Sequence, residues 1–294
     1  MRIARLAQAA LAWRHDVEQA GITGFPGQPA VYIANGLHLS EDRNVWIIAM
    51  KLLTVVLDDL RICSGAVLRY VLAAAVVLAT YRLLYHGLEV WEAAEAPAKL
   101  MSLLHLGLAL YLAVVFSGVE AIFLSALGRE IDRPIWKCKG PADALRRFFT
   151  PWLIINLSCI TLIDIQARLA LLGQSEAVLL FEGLILIAHL CALPIGAAIM
   201  HWGALEWREL GSALRPLLRF LHLLLLPLAL AFFQFALVRL RGVVVAGDGS
   251  TMVLTRVVLD IPMILLDVLI FALVWRICMM HRNEPEVESD PFDL

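Results

Sequence analysis

The residues of this sequence that could do chemistry are titratable side chains set inside long apolar runs. Glu182 and His189 lie seven positions apart in one such run, and Gly196 and Gly203 continue the same spacing. Seven residues are nearly two helical turns, so all four lie on one face of a helix. An imidazole titrates near neutral pH. This face is interpreted either as a protonatable or ligand-contacting pair, or as a packed face whose glycines admit a neighbouring helix.

A second set of charges lies in two further apolar runs. The last run carries Arg256, Asp260 and Asp267 on one side of a helix, and an earlier run carries Asp164 and Arg168. Arg256 and Asp260 can neutralise each other at i,i+4 spacing, whereas Asp267 has no local partner. The two runs cross the membrane in opposite directions, which places their arginines and their aspartates at matching depths. If the two helices touch, Arg168 could meet Asp260 and Arg256 could meet Asp164 in a crossed network. Such a network would hold helices together or line a polar path.

Other polar groups in the apolar runs are interpreted as structural. Glu120 lies about one and a half turns inside the end of its run, and we expect it to extend toward Arg129. His105, His222 and Gln234 are isolated, and we expect helix contacts to satisfy them.

The apolar runs that carry these ionisable residues are long enough to cross a bilayer, and the composition of the chain also indicates a membrane protein. Of the 294 residues, 61% are hydrophobic and 17% are charged, whereas a soluble domain is about 45–50% apolar and about 25% charged. A spanning helix needs about 20 apolar residues, and helices pair their backbone groups internally. The predicted fold is therefore all-α, a polytopic membrane bundle of six transmembrane helices. Spans 1 to 6 are predicted at 64–86, 100–127, 149–172, 177–202, 217–240 and 252–277.

The basic residues between the spans predict their orientation. The loop between spans 2 and 3 is basic, the loop between spans 1 and 2 is mainly acidic, and the turn between spans 3 and 4 has no lysine or arginine. By the positive-inside rule, both termini are cytoplasmic. Arg239 and Arg241 after span 5 disagree with this orientation and are interpreted as snorkelling from the span end. Tryptophans near span ends are expected in the membrane interface: Trp91, Trp136, Trp152, Trp202, Trp207 and Trp275.

The chain divides into three parts around the predicted transmembrane domain, which covers residues 64–280. Residues 1–63 are predicted to form a cytoplasmic or interfacial segment with one or two amphipathic helices. The second of these helices begins after the N-cap residue Ser40 and carries too many charges to be counted as a span. Residues 281–294 are acidic and are predicted to be disordered.

Several function classes are excluded or left without support by the same composition. The formal net charge of -2 provides no basic footprint for nucleic acid. The five cysteines are scattered and form no zinc-binding or disulfide pattern. The chain carries no phosphate-binding glycine loop, so an ATP-driven pump built from this chain alone is excluded.

Three function classes remain open. The first is a non-enzymatic subunit or scaffold of a larger assembly in a bacterial inner membrane, of the secretion, conjugation or respiratory type. Its partners would be the lipid bilayer and either other proteins or further copies of the chain. The alternative is an ion- or proton-coupled small-molecule transporter or channel that uses the intramembrane carboxylates and His189. A membrane-embedded enzyme or a b-haem subunit is the third, and no other cofactor is expected.

Overall fold

The structure is a computed structural model that describes residues 45–93, 97–132, 138–203, 210–244 and 250–283. The predicted N-terminal amphipathic helix, the N-cap at Ser40 and the acidic tail beyond residue 283 lie outside these ranges. Within them the chain is helical apart from short connections and contains no strand. The helices are α1 (Val45–Ile62), α2 (Ser64–Ala93), α3 (Ala98–Val119), a π-helical turn (Glu120–Leu124), α4 (Ser125–Ile131), α5 (Pro141–Leu171), α6 (Ser175–Trp202), α7 (Leu210–Arg219), α8 (Leu221–Val244) and α9 (Ser250–Asn283).

Six of the described helical segments are long and apolar enough to cross a bilayer. They are α2, the continuous segment from α3 to α4, α5, α6, α8 and α9, and they correspond in order to spans 1 to 6. The predicted all-α, six-span class is confirmed, and the chain is an integral membrane protein. The end of the bundle where span 1 begins is called the proximal end below, and the end where span 1 finishes is called the distal end.

The helices extend beyond the apolar runs, with one break that differs from the prediction. Helix α5 begins at Pro141, whose fixed φ suits a first turn, and α9 continues through Asn283 into the predicted tail. Span 5 begins at Leu221 and not at residue 217, because Leu217 belongs to the separate helix α7. Helix α7 is amphipathic, but its last turn contributes Leu217 and Leu218 to the apolar run of α8, so hydropathy alone does not reveal the break at Phe220.

The centre of the bundle is the C-terminal half of α9. Every residue from Ile270 to Cys278 is buried, and α9 packs against α1, α2, α6, α7 and α8. A helix surrounded on all sides must be apolar all round. This stretch, IFALVWRIC, meets the requirement with a single charge at Arg276.

Two tryptophans near span ends have their rings buried in the protein core, whereas the prediction expected rings exposed to the membrane interface. Trp152 covers Gly196, and Trp275 covers Gly128, so closely that a Cβ atom at either glycine would overlap the ring. Both rings are buried. The predicted close approach at Gly196 is confirmed.

Gly203 serves a different purpose from the one predicted. It ends α6 with a φ of 95°, and no heavy atom lies within 4 Å of the position that its Cβ would take. This left-handed conformation is the usual reason for glycine after the last turn of a helix. Gly203 is therefore a helix stop and not part of a packed face.

Helix α1 packs against the bundle through one face. Ile48, Leu52 and Val56 are buried, and the helix contacts α9 and α8. Asp59, one turn further on, accepts two hydrogen bonds of 2.5 Å from Arg276 of α9. The apolar stripe that predicted an amphipathic helix is thus used, at least in part, for docking onto the protein itself.

Candidate functional site

Span 2 places a carboxyl group inside the bundle at Glu120. Glu120 is only 4% exposed, and it is the first residue of the π-helical turn. Asn156 of span 3 donates hydrogen bonds to Glu120 Oε2 at 2.5 Å and to Ser117 Oγ at 2.9 Å. The expectation that Glu120 extends toward Arg129 is therefore wrong, because an amide across the helix interface binds it. Single π-helical turns are frequent at functional sites.

Span 6 places a second carboxyl group in the interior at Asp267, which has no partner on its own helix. Gln234 of span 5 donates through Nε2 to Asp267 Oδ1 at 2.5 Å and to the Met263 carbonyl at 2.9 Å. Gln234 is buried, and its Oε1 atom has no hydrogen-bond partner among the described residues. The prediction that Gln234 is satisfied at a helix contact holds for its amino group only.

Tyr70 of span 1 lies near both carboxyl groups. It is fully buried, and its hydroxyl has no hydrogen-bond partner within the described ranges. It interacts electrostatically with Glu120 and Asp267, which also interact with each other. Among the described residues, no lysine or arginine forms an ion pair with either carboxyl. We call Tyr70, Glu120, Asn156, Gln234 and Asp267 the interior cluster.

His189 of span 4 borders the interior cluster but does not meet its predicted partner. Its ring lies 5.7 Å from the Phe235 ring between centroids, and it lies within hydrogen-bonding reach of Gln234. Its buried Nε2 atom has no partner in the part of the chain that the structure describes. Glu182 contacts Gln166 and Arg239 instead. The seven-residue spacing placed the two side chains on one face but about 10 Å apart along the axis.

The crossed charge network expected between spans 3 and 6 is replaced by other pairs. Arg168 donates to Asp164 on its own helix at 2.8 Å. Asp260 accepts two hydrogen bonds from Arg82 of span 1 at 2.6 and 2.9 Å, and Arg241 of span 5 binds the same carboxylate. The reason is the arrangement of helices: α9 packs closely against α2 and α8, whereas α5 packs mainly against α3 and α6.

Arg256 remains near this distal group of charges. It lies close enough to Arg241 for the two guanidinium groups to repel each other. Arg239 and Arg241, interpreted from sequence as snorkelling, thus bind carboxylates on spans 4 and 6.

At the proximal end, Asp59 lies outside the spans and its ionisation is perturbed. Burial raises the pKa of Asp59, and this effect exceeds the lowering by the Arg276 hydrogen bonds. The ion pair therefore joins α1 to the central helix in a poorly solvated position.

The interior cluster was only partly accessible from the sequence. Asp267 was predicted as a candidate site residue, Glu120 and Gln234 were interpreted as structural, and Tyr70 and Asn156 were not identified. One available signal was depth: Glu120 lies seven residues before the predicted end of span 2, and Asn156 lies seven residues after the predicted start of span 3. Two polar residues at matching depth on consecutive antiparallel spans can meet.

Neither possible metal ligands nor similarity to known proteins assigns a function to this chain. Among the described residues, no group of three or more histidine, cysteine, aspartate or glutamate side chains could hold a metal ion. In comparisons with known proteins, no family model, no curated protein and no solved structure matches this chain. The b-haem alternative stays a prediction.

Proposed function

We propose that this protein is an integral membrane subunit of a larger assembly, located in a bacterial inner membrane with both termini in the cytoplasm. The observation that supports the proposal is a polar stripe on the outward face of span 3. Ser158, Thr161, Asp164 and Arg168 recur at steps of three or four residues, and all four are exposed on the bundle surface. Asp164 and Arg168 are 57% and 71% exposed, respectively, in their side chains.

The depth of this stripe makes lipid an unfavourable neighbour. Asp164 lies seven residues before the end of α5, about 10 Å along the helix axis. Charged side chains at membrane depth usually face protein or water, and serine and threonine on helix faces bond neighbouring helices. A second protein surface over the stripe would satisfy these groups better than acyl chains.

The mass of the purified particle tests this proposal. In nanodiscs or mild detergent, native mass spectrometry of the wild type is expected to show a complex heavier than the 32.6 kDa chain. Replacing the pair by Asp164→Leu and Arg168→Leu should release the monomer. The matched control is Leu103→Ala with Leu106→Ala, two exposed apolar positions on span 2, which should keep the complex. A wild type that is monomeric under all gentle conditions would contradict the proposal.

A second candidate function, cation- or proton-coupled transport, is favoured by the interior cluster. Two carboxyl groups, Glu120 and Asp267, lie in the bundle beside neutral amide partners. Intramembrane carboxyls without basic partners are common in ion and proton pathways. Proteoliposomes that contain the purified chain should show a sodium flux or a proton flux, and Glu120→Gln with Asp267→Asn should abolish it. Asp164→Asn, on the outer surface, should leave the flux intact. Liposomes with wild-type protein that are as tight as empty ones would rule this candidate out for the chain alone.

A further inference from the structure

We propose that a groove on the first turns of α5 binds one phospholipid with an anionic headgroup. The groove has a volume of about 360 Å³ and is open on the outside of the bundle, and small-molecule sites typically occupy ~300–1,000 Å³. We call it the α5 groove, and its lining residues are Ala142, Leu145, Arg146, Phe149 and Thr150. A lipid site on the bundle surface is compatible with either candidate function and depends on neither.

The lining residues of the α5 groove share one helix face, along which the polarity changes. They recur at steps of three and four residues, which places them side by side on a helix. Arg146 precedes Phe149, the first residue of predicted span 3, by about 4.5 Å along the helix axis. Ile154, one turn beyond Thr150 on the same face, is apolar and exposed. The boundary between polar and apolar sequence therefore runs through the groove, as the boundary between headgroup and acyl chain runs through a lipid.

Arg146 and Thr150 provide polar groups that the protein itself does not use. The neighbouring Arg147 donates to Asp143 Oδ1 at 2.8 Å and to the Gly203 carbonyl at 3.1 Å, so it holds α5 to the end of α6 and neutralises Asp143. Within the described ranges, neither Arg146 nor Thr150 forms a side-chain hydrogen bond or an ion pair. Both residues are exposed, and residues four positions apart are neighbours on a helix surface. A guanidinium group and a hydroxyl group can thus bind one ligand together.

The chemistry of these side chains favours a phosphate diester with a net negative charge. A guanidinium group binds phosphate through paired, charge-assisted hydrogen bonds. Arg146 is the only charged residue among the described lining residues, so the ammonium of a zwitterionic headgroup would find repulsion here and no carboxylate partner. An anionic headgroup has no such ammonium group or is not neutralised by it.

The apolar half of the α5 groove favours a lipid over free phosphate. Leu145 is exposed and Phe149 is partly exposed, and both can contact the glycerol and the first acyl carbons of a lipid. Burial of that apolar surface stabilises a bound lipid, whereas an inorganic ion gains nothing from it. The groove therefore matches both parts of an amphiphilic anion.

Native mass spectrometry of the delipidated full-length chain in a non-ionic detergent tests the inference. Dioleoyl phosphatidylglycerol and dioleoyl phosphatidylcholine are titrated separately, because they differ in the headgroup only. The first phosphatidylglycerol should bind the wild type about tenfold more tightly than the first phosphatidylcholine. Arg146→Gln should remove most of this preference, and Thr150→Val should weaken phosphatidylglycerol binding by about threefold. The matched control is Arg61→Gln, which changes an exposed arginine near the start of span 1, outside the groove, and should keep the preference.

A second variant fills the α5 groove without changing its charge. Ala142 is exposed, so Ala142→Trp should leave the Tm unchanged, and it should weaken phosphatidylglycerol binding by about tenfold because the indole occupies the groove. Equal affinities of the folded wild type for the two lipids would overturn the inference. An equal loss of preference in Arg61→Gln and Arg146→Gln would overturn it too, since the attraction would then be a general charge effect.

Two other occupants would be recognised in the same titrations. Displacement of the lipid by inorganic phosphate at constant ionic strength would assign the α5 groove to a soluble anion and refute the lipid site. A wild-type dimer that Arg146→Gln and Ala142→Trp both dissociate, with no preference for phosphatidylglycerol, would assign the groove to a second copy of the chain and refute it as well.

Discussion

Arg82 and Asp260, 178 positions apart in the sequence, form a two-point ion pair at the distal end of the bundle. Arg82 Nε lies 2.6 Å from Asp260 Oδ2, and Nη2 lies 2.9 Å from Oδ1. Arg241 also binds this carboxylate. One buried aspartate thereby connects spans 1, 5 and 6, and it accounts for an arginine after span 5 that the positive-inside rule leaves unexplained.

Removing the charge of Asp260 should destabilise the protein strongly. Asp260→Asn leaves Arg82 and Arg241 close together in a poorly solvated position without their shared counter-charge, and we expect a loss of about 3–5 kcal/mol in the free energy of unfolding. Unfolding by SDS in mixed micelles measures it. Glu130→Gln is the control, because its ion pair with Arg69 near the proximal end of the bundle is exposed and should matter by about 1 kcal/mol or less. Equal losses for both variants would contradict the assigned role of Asp260.

The Asp59–Arg276 pair should hold α1 on the central helix. Arg276→Leu leaves the Asp59 carboxylate partly buried without a cation, and about 3 kcal/mol or more of unfolding free energy should be lost at neutral pH. Asp59→Asn combined with Arg276→Gln removes both charges and should cost less than Arg276→Leu alone.

The loss in Arg276→Leu should also depend on pH. Burial already raises the pKa of Asp59, and losing the arginine raises it further. A raised pKa in the folded state means that the carboxyl costs nothing below its unfolded pKa and that the cost grows as pH rises toward the folded pKa. The variant should therefore be closer to wild-type stability near pH 4 than at pH 8. A pH-independent difference would show that the ion pair is not its origin.

Gly196 should tolerate no side chain, because the Trp152 ring occupies the space above it. Gly196→Ala places a methyl group into a buried aromatic ring, and we expect a loss of about 1–3 kcal/mol. Gly183 lies on the same helix with no heavy atom within 4 Å of its Cβ position. Gly183→Ala should therefore be neutral or slightly stabilising. Adding Trp152→Phe to Gly196→Ala should recover part of the loss by relieving the overlap.

The spans were predictable from sequence because their signal is local. An apolar run of about 20 residues must form a helix in lipid whatever its neighbours are, and all six predicted spans begin and end within eight residues of the apolar helices found. The break before Leu221 was missed because Leu217, Leu218 and Phe220 continue the apolar run across it, interrupted only by Arg219. Glycine spacing identified one close approach at Gly196, but it could not distinguish that contact from the helix stop at Gly203.

The partners of the charged residues were not predictable, because they depend on which helices are neighbours. Asp164 and Arg168 share a helix, so their pairing is local. Asp260 had several arginines at matching depth, and only the packing of α9 against α2 and α8 selects Arg82 and Arg241. Tyr70 has no sequence feature that distinguishes it from an ordinary core tyrosine.

The Glu120–Asn156 hydrogen bond offers a direct test of whether the interior cluster is retained for stability. Asn156→Leu should destabilise the protein by about 1–3 kcal/mol, because it removes the amide that satisfies the buried Glu120 carboxyl. Adding Glu120→Leu removes the orphaned carboxyl as well, and two apolar partners of similar size can replace a polar pair at little cost. We therefore expect the double variant to regain most of the lost stability in the same SDS titration.

The double variant also separates the two roles that an intramembrane polar pair can have. If the Glu120–Asn156 pair serves only to hold the helices together, removing both partners should leave the protein unstable. A double variant that stays as unstable as Asn156→Leu would therefore assign Glu120 to stability alone. A double variant that folds as well as the wild type, yet has lost the sodium or proton flux in proteoliposomes, would show that folding does not require this carboxyl. Its burial would then be a cost that the protein bears in order to carry that flux.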